Sequence, residues 1–388
     1  MRIFISTGEV SGDMQGALLV EALHSQAQAR NISLEITALG GRQMESAGAK
    51  LLGDTTAIGA MGLIESAPFF FPTRQMRKRA KTYLEGNPPD VLILIDYQGA
   101  NLDIAETLRQ SFPNLPVVYY IAPQQWVWCP IPSHTTRLVK VTDKVLAIFP
   151  EEARFYQRNG AEVEWVGHPL LDKMQNPPTK AEARQSLGIS PDVTVITLLP
   201  ASRQQELKYL LPVIFTAAAE IQAQIKDVEF LIPLSLEAYR STIESEIEKY
   251  GLNARLITND TLSAIASSDL AITKSGTANL EIALLKVPQV VMYRVNPITI
   301  WIARHIFKMS FPFMSPANLV PMKLIVPELL QEEATPERVV KESLELLLNP
   351  QRRNKLQKDY EEMRELLGTA GVANRAANSI LDLIPKDA

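Results

Sequence analysis

Short runs of consecutive apolar residues punctuate this 388-residue chain, and between most of them apolar positions recur at helical spacing. In the first half the runs lie at Arg2–Ser6, Leu34–Leu39, Val91–Asp96, Val117–Ile121, Lys144–Phe149 and Glu162–Val166. Gly167-His168-Pro169 and Asn176-Pro177-Pro178 interrupt the pattern. A second series follows at Val193–Leu199, Val228–Ile232, Ala254–Ile257, Leu270–Thr273 and Gln289–Tyr293. A continuous run such as Val91-Leu92-Ile93-Leu94-Ile95 suits a parallel strand buried on both faces. Such strands alternating with helices predict an α/β chain of two Rossmann-like, doubly wound domains, residues 1–168 and 169–345. Residues 346–388 read as a charged helical tail, broken at Asn349-Pro350 and at Gly368–Gly371. The length agrees, since one ordinary core rarely serves so many residues.

Composition narrows the class. Hydrophobic residues make up 46% and charged residues 21%, as in a folded soluble protein. A formal net charge of -4 gives no global reason to expect nucleic acid as a partner. Cys129 is the single cysteine, and the four histidines are far apart in sequence, so neither a disulfide nor a Cys/His metal site is expected. Glu9 and Asp13 follow a six-residue strand-like start, which leaves no signal-peptide apolar region, and a cytoplasmic location is expected.

Candidate chemistry gathers where strands end. Leu270 to Arg294 reads as strand, small-residue turn, helix and strand, with Lys274-Ser275-Gly276-Thr277 in the turn. Turns of this kind present backbone N–H groups and a helix N-terminus, which suits a phosphate; a simple helix cap at Ser275 or Thr277 explains the residues too. Glu281, one turn into that helix, has a carboxylate that can accept hydroxyl hydrogen bonds. After Val193–Leu199 comes Pro200-Ala201-Ser202-Arg203. Ser202 and Gln205 fit a capping box, but a cation at Arg203 opposes the helix dipole unless an anion lies beside it.

In the first half, the buried run 91–95 ends in Asp96, where open α/β sheets bind ligands. Tyr97-Gln98-Gly99-Ala100-Asn101 adds more polar groups than a cap requires. Ala122-Pro123-Gln124-Gln125-Trp126-Val127-Trp128 offers either an aromatic wall for a sugar or acyl chain, or a loop anchored on the core. Thr7-Gly8-Glu9-Val10-Ser11-Gly12-Asp13 is a tight strand-to-helix turn without the spacing of a dinucleotide fingerprint. Pro68-Phe69-Phe70-Phe71-Pro72 precedes Arg74, Arg77, Lys78, Arg79 and Lys81, a combination that fits an interfacial membrane contact. A core-facing aromatic cluster followed by a solvated basic helix is the alternative.

Taken in order, these segments resemble the lipid A disaccharide synthase family, glycosyltransferases of the two-Rossmann-domain GT-B architecture. The resemblance rests on GEVSGD, on Met61-Gly62-Leu63-Ile64-Glu65, and on LIDYQGAN, YYIAPQQWVW, LLPASR, SGTANLE, SPANL and PELLQ. It covers almost the whole chain. It implies two domains facing a cleft, and an inverting transfer from UDP-2,3-diacylglucosamine to the 6-hydroxyl of 2,3-diacylglucosamine 1-phosphate, giving a β-1,6 disaccharide and UDP.

By that resemblance Asp96 is the base; Arg203 and the backbone at Ser275, Gly276 and Thr277 hold the diphosphate; Glu281 holds the ribose; and Asn318 and Gln331 lie near the donor. Glu9, Ser11, Met61 and Trp126 are implied on the acceptor side, and Phe69 to Phe71 with the basic residues after them on the membrane side. No metal or other cofactor is implied. The expected partners are the two acylated sugars, the cytoplasmic face of the inner membrane, and a second copy exchanging its C-terminal segment. The chain departs from the family at Gly99-Ala100, where a second Asp is usual. It departs again at Cys129-Pro130-Ile131-Pro132, where basic residues are common, and at Ala201, usually glycine. A UDP-sugar 2-epimerase, or a non-catalytic relative that binds UDP-sugar or lipid, are the competing readings.

Overall fold

The computed structural model describes residues 1–8, 10–56, 80–129, 131–200, 204–296, 300–301 and 311–384. Glu9, Met61, Phe69, Phe70, Phe71, Arg74, Arg77, Lys78, Arg79 and Arg203 lie outside them. The chain divides into two compact units: residues 1–173 with 367–388, and residues 174–366.

The first unit holds a seven-stranded sheet in the order β3-β2-β1-β4-β5-β6-β7. Its strands are β1 (Arg2–Ser6), β2 (Glu35–Gly40), β3 (Lys50–Asp54), β4 (Val91–Ile95), β5 (Val117–Tyr120), β6 (Lys144–Ala147) and β7 (Val163–Trp165). Every pairing is parallel. β4 is buried at all five positions, as its apolar run requires. β3 adds an edge strand beyond the apolar series. Its Lys50-Leu51-Leu52-Gly53-Asp54 carries too little β-branched character to announce itself, and its register against β2 slips at Ala38/Leu39.

The second unit holds a six-stranded parallel sheet in the order β10-β9-β8-β11-β12-β13. It comprises β8 (Thr194–Leu199), β9 (Val228–Pro233), β10 (Ala254–Ile257), β11 (Leu270–Lys274), β12 (Gln289–Tyr293) and β13 (Glu328–Leu330). β13, three residues long, is the other strand that hydrophobic patterning does not flag.

The tail is shared between the units. Helix Pro350–Leu366 belongs to the second, where Tyr360 donates its hydroxyl to the Val287 carbonyl (3.1 Å) and accepts from Gln289 (3.2 Å). Helix Val372–Asp382 belongs to the first and packs on helix Val10–Ala29. Arg30 reaches Asp382 at 2.6 Å, and Asp172 accepts the N–H groups of Gly371, Val372 and Ala373 at that helix's start (2.5, 3.1 and 2.9 Å). The segment 346–388 is therefore not one element. Gly368 and Gly371, both at positive φ, turn the chain from one unit to the other.

In each sheet the strand order reverses once, between β1 and β4 and between β8 and β11. Strands diverge there, and the crevice at their carboxyl ends is where open α/β sheets take ligands. Asp96 and the first βα turn stand at the first reversal; the carboxyl ends of β8 and β11 stand at the second.

Candidate active site

β4 ends abruptly. Asp96 and Tyr97 both have left-handed backbones, φ 49° and 33°, and beside them Ile121, after β5, has φ 56°. A β-branched residue in this region is strained, and such strain persists where surrounding bonds over-determine the chain. The bonds are present. Asn101, fully buried, donates its amide to the carbonyls of Ile95 (3.0 Å) and Asp96 (2.9 Å) and accepts from Ser6 Oγ at the end of β1 (2.8 Å). The buried Tyr119 hydroxyl donates to the same Asp96 carbonyl at 2.7 Å, and Asp96 N–H donates to the Ile121 carbonyl at 3.1 Å.

The Asp96 side chain is left half-buried, with one oxygen accepting the Tyr97 N–H at 2.9 Å. Burial pushes its carboxyl above the usual carboxylate range, against the lowering effect of that N–H. An acid tuned upward and partly open to solvent has the character of a general base.

A second carboxyl nearby answers to a different description. Glu152 is fully buried and is pushed up to about 8, chiefly by burial, despite three backbone N–H donors. One oxygen accepts from Ala122 (3.1 Å), the other from Ile148 (2.8 Å) and Phe149 (3.2 Å). Glu152 has no exposed face for a substrate to meet. It joins the loop after β5 to the loop after β6.

That β5 loop carries Trp126, half-buried, whose indole N–H donates to Gln124 at 2.5 Å and whose ring lies 5.9 Å from Phe149. Gln125 is buried and accepts from Thr135 at 2.7 Å, and Tyr156 bonds the Pro123 carbonyl at 2.7 Å. The loop is anchored on the core, with Trp126 at its margin.

The first βα turn is shaped by close approach. A Cβ on Gly8 would fall 2.3 Å from the Tyr97 ring, and one on Gly12 would fall 1.9 Å from Thr7 Oγ1. Asp13 is buried and accepts the N–H groups of Gly41 (2.8 Å), Gln43 and Met44 (both 3.1 Å), so it fixes the start of helix Arg42–Ser46. Ser11, by contrast, is exposed in the first turn of helix Val10–Ala29.

In the second unit, β11 runs into Ser275, Gly276 and Thr277 and then helix Ala278–Leu284, with half-buried Glu281 in its first turn. Ser275 N–H donates to Met292 (2.8 Å) and Gly276 N–H to Asn279 Oδ1 (2.9 Å). Three segments far apart in sequence close into one network around this turn. Ser275 Oγ donates to the Met314 carbonyl (2.6 Å), and Ser315 Oγ meets Asn279 (3.4 Å). Glu328 accepts from the N–H groups of Met314 (2.9 Å) and Ser315 (2.7 Å) and from the Asn318 amide (2.8 Å).

Asn318, fully buried, also accepts from Ile325 and Val326 (2.8 and 2.9 Å) and donates to the Val326 carbonyl at 2.9 Å. Gln331, buried with φ 51°, pairs its amide both ways with the Val295 backbone, at 3.2 and 3.3 Å. Asn318 and Gln331 thus brace the backbone around the turn. Lys274, at the end of β11, forms an ion pair with Glu206 at 3.3 Å. Among the described residues no group of three or more His, Cys, Asp and Glu is placed to hold a metal ion.

The comparison with known proteins bears on the whole of this arrangement. The family model for lipid-A-disaccharide synthetase matches residues 3–382. The chain belongs to that family. It is 58% identical over 384 residues to the lipid-A-disaccharide synthase of Gloeothece citriformis, covering 99% of this chain and 100% of that one. To the synthase of Synechocystis it is 55% identical over 384 residues, covering 98% of each. Solved structures of lower identity share the fold. A Staphylococcus aureus MnaA–UDP co-structure superposes with a TM-score of 0.66 at 15% identity, over 99% of this chain and 97% of that one. Acinetobacter baumannii MurG gives 0.60 at 15% identity, over 98% and 99%.

Membership makes the chain a glycosyltransferase of lipid A disaccharide formation, on two Rossmann-like domains of the GT-B class. The family's segments in the second half, SGTANLE, SPANL and PELLQ, are the three that close the network around Ser275. Sequence reading had named Asn101 only as surplus polarity and had not named Tyr119, Glu152 or Glu328. A buried Tyr two residues before a loop, or a Glu directly after a Pro at a strand start, carries no local signal of what it will bond.

Proposed function

We propose that the chain joins UDP-2,3-diacylglucosamine to the 6-hydroxyl of 2,3-diacylglucosamine 1-phosphate with Asp96 as the base. The half-buried Asp96 carboxyl, raised by burial and set at the strand reversal, carries this reading. An α-linked donor yielding a β-linked product needs one in-line displacement. The acceptor O6 forms its bond to C1 as its proton passes to the Asp96 carboxylate, and the C1–O bond to the diphosphate breaks with its electron pair leaving on UDP. Glu152 has a raised carboxyl too, but it is fully buried and tied to three backbone N–H groups, which favours Asp96.

The donor diphosphate is assigned to the turn after β11, at the second reversal, and to Arg203, which follows β8 in the sequence. Ser275 and Gly276 spend their N–H groups inside the turn, which leaves the Thr277 end for the charge, with Arg203 assigned to it from its place in the sequence. Glu281 takes the ribose. Asn318 and Gln331 serve the donor by holding the backbone rather than by touching it. Ser11 and Trp126 border the acceptor. The Phe69–Phe71 and basic segment would hold the protein to an anionic membrane surface, three aromatics and a run of cations being the combination that such a surface attracts. Exchange of C-terminal segments in a dimer would replace the contact of helix Val372–Asp382 with helix Val10–Ala29 by the same contact between copies.

UDP release measured with and without the diacylated acceptor, with mass analysis of the lipid product, tests the reading. Acceptor-dependent release with a disaccharide product is expected. A 2-epimer formed without acceptor, or UDP binding with no turnover, would overturn it.

A further inference from the structure

We infer that Tyr119 and Asn101 are positioning residues for the transfer reaction, acting through the backbone of Asp96. The inference rests on Asp96 being the base.

The carbonyl of Asp96 receives two buried donors, Tyr119 Oη at 2.7 Å from β5 and Asn101 Nδ2 at 2.9 Å from helix Gln98–Ser111. A carbonyl in a parallel strand ordinarily serves one ladder bond, so two side chains turned onto one strand-end oxygen are in excess of what pairing requires. They act where the chain is least content. Asp96 and Tyr97 are consecutive non-glycine residues at positive φ, and Ile121 across from them is a third. A free strand end would relax to the ordinary extended or right-handed region, and doing so would swing the carboxylate to a new direction. The two donors, together with the Asp96 N–H bond to Ile121 (3.1 Å), remove that freedom.

The restraint is continuous across four strand ends. Ser6 at the end of β1 holds Asn101, Asn101 and Tyr119 hold Asp96, Asp96 holds Ile121, and Ala122 beside it donates to Glu152, which holds Ile148 and Phe149 after β6. Each link is buried or partly buried, where such bonds keep their strength. The frame fixes the base and the root of the Trp126 loop against each other, so a displacement of one is felt by the other. Tyr119 touches no open surface and Asn101 is fully buried, so neither meets substrate. Their effect is on aim.

Tyr119→Phe deletes one hydroxyl and keeps the ring. The expected result is a kcat about 10-fold lower, with KM for both sugars and UDP affinity unchanged, since a base displaced by a fraction of an ångström loses rate rather than binding. The acid limb of the kcat–pH profile should also move to lower pH, because a carboxylate released toward water is no longer held up by burial. Among the described residues the titratable groups that bear on Asp96 are Tyr97 in its own turn, Tyr119 from β5 and Glu152 from helix Pro150–Arg158. The limb is therefore read against Glu152→Gln, in which the second carboxyl no longer titrates.

Asn101→Asp, which keeps the shape but presents an acceptor to the two carbonyls, should lower kcat about 100-fold with the same pattern. A Tyr119→Phe enzyme with wild-type kcat and limb would overturn the inference, and so would a loss of rate with the limb unmoved. Asp96→Asn, assayed beside them, separates this from a failure of the base assignment: retained turnover there removes Asp96 itself.

Discussion

The carboxyl ends of β4 and of β11 occupy corresponding places, each at the reversal of its sheet, yet they are built on opposite principles. At β4 the chain is strained, with Asp96 and Tyr97 left-handed and a carboxyl raised by burial. At β11 the turn follows ordinary dihedrals, Thr277 sitting at φ -56° and ψ -33°, and its polar groups are satisfied by a network drawn from Met314, Ser315, Asn318 and Glu328. The difference follows the two tasks. A base must be held away from its preferred protonation state and direction, whereas a cradle for a diphosphate must be rigid and already complete before the anion arrives. Strain suits the first and saturation the second.

The comparison breaks most sharply at Asp96. Asp96→Asn should cut kcat by about 10³-fold while leaving UDP affinity unaltered, measured by steady-state turnover and calorimetric titration. Near-normal turnover would remove the distinction between the two strand ends. Arg203→Ala is the reverse case, expected to weaken UDP binding by roughly 10-fold to 100-fold, a charge-assisted bond of about 1.5–3 kcal/mol. Unchanged UDP affinity would take Arg203 out of the donor half.

Glu328→Ala removes the carboxylate that three donors share, so it should raise the UDP dissociation constant by about 10-fold and lower the melting temperature of the protein. The Asp96 limb of the pH profile should stay where it is. A shifted limb would mean that the two halves are not independent.

The smallest effect is on stability. In the folded chain Glu152 holds its proton to about 8 against a usual 4.5, so the native state binds more protons than the unfolded one in that window and stability falls as pH rises through it. His168, buried against Phe149 and lowered from 6.5 to about 4, works the other way, its stability contribution lost as pH falls from 6.5 toward 4. Between pH 6.5 and 8 only the Glu152 slope of this pair remains. Thermal melts should show the melting temperature declining over that interval in the wild type and levelling in Glu152→Gln; equal slopes would mean that Glu152 is ionised in the native protein.

Much of this was legible before folding was considered. The central strands announced themselves because a parallel strand buried on both faces must be apolar at every position, and Val91–Ile95 is. Asp96 could be picked as the first polar residue after such a run, and Ser275 as the start of the small-residue turn after one. The edge strands β3 and β13 could not, being short and half-covered, so nothing forces an apolar run on them. The breaks at Asn349-Pro350 and Gly368–Gly371 could be seen in the tail, but charge does not reveal which face of each piece is buried; Tyr360 bonds Val287 in the second unit, and Asp382 pairs with Arg30 in the first.

The sequence alone determined the fold class, the two strand series, the family, and which residues end the strands at the sheet reversals, since all of these follow from local periodicity and short motifs. Only the tertiary structure decided what those residues are able to do. The proton affinity of Asp96 comes from burial, its aim from Tyr119, 23 positions on, and the shape of the β11 turn from Met314, 39 positions beyond Ser275. Desolvation and long-range hydrogen bonds depend on which segments meet in space, and no window of neighbouring residues contains that information.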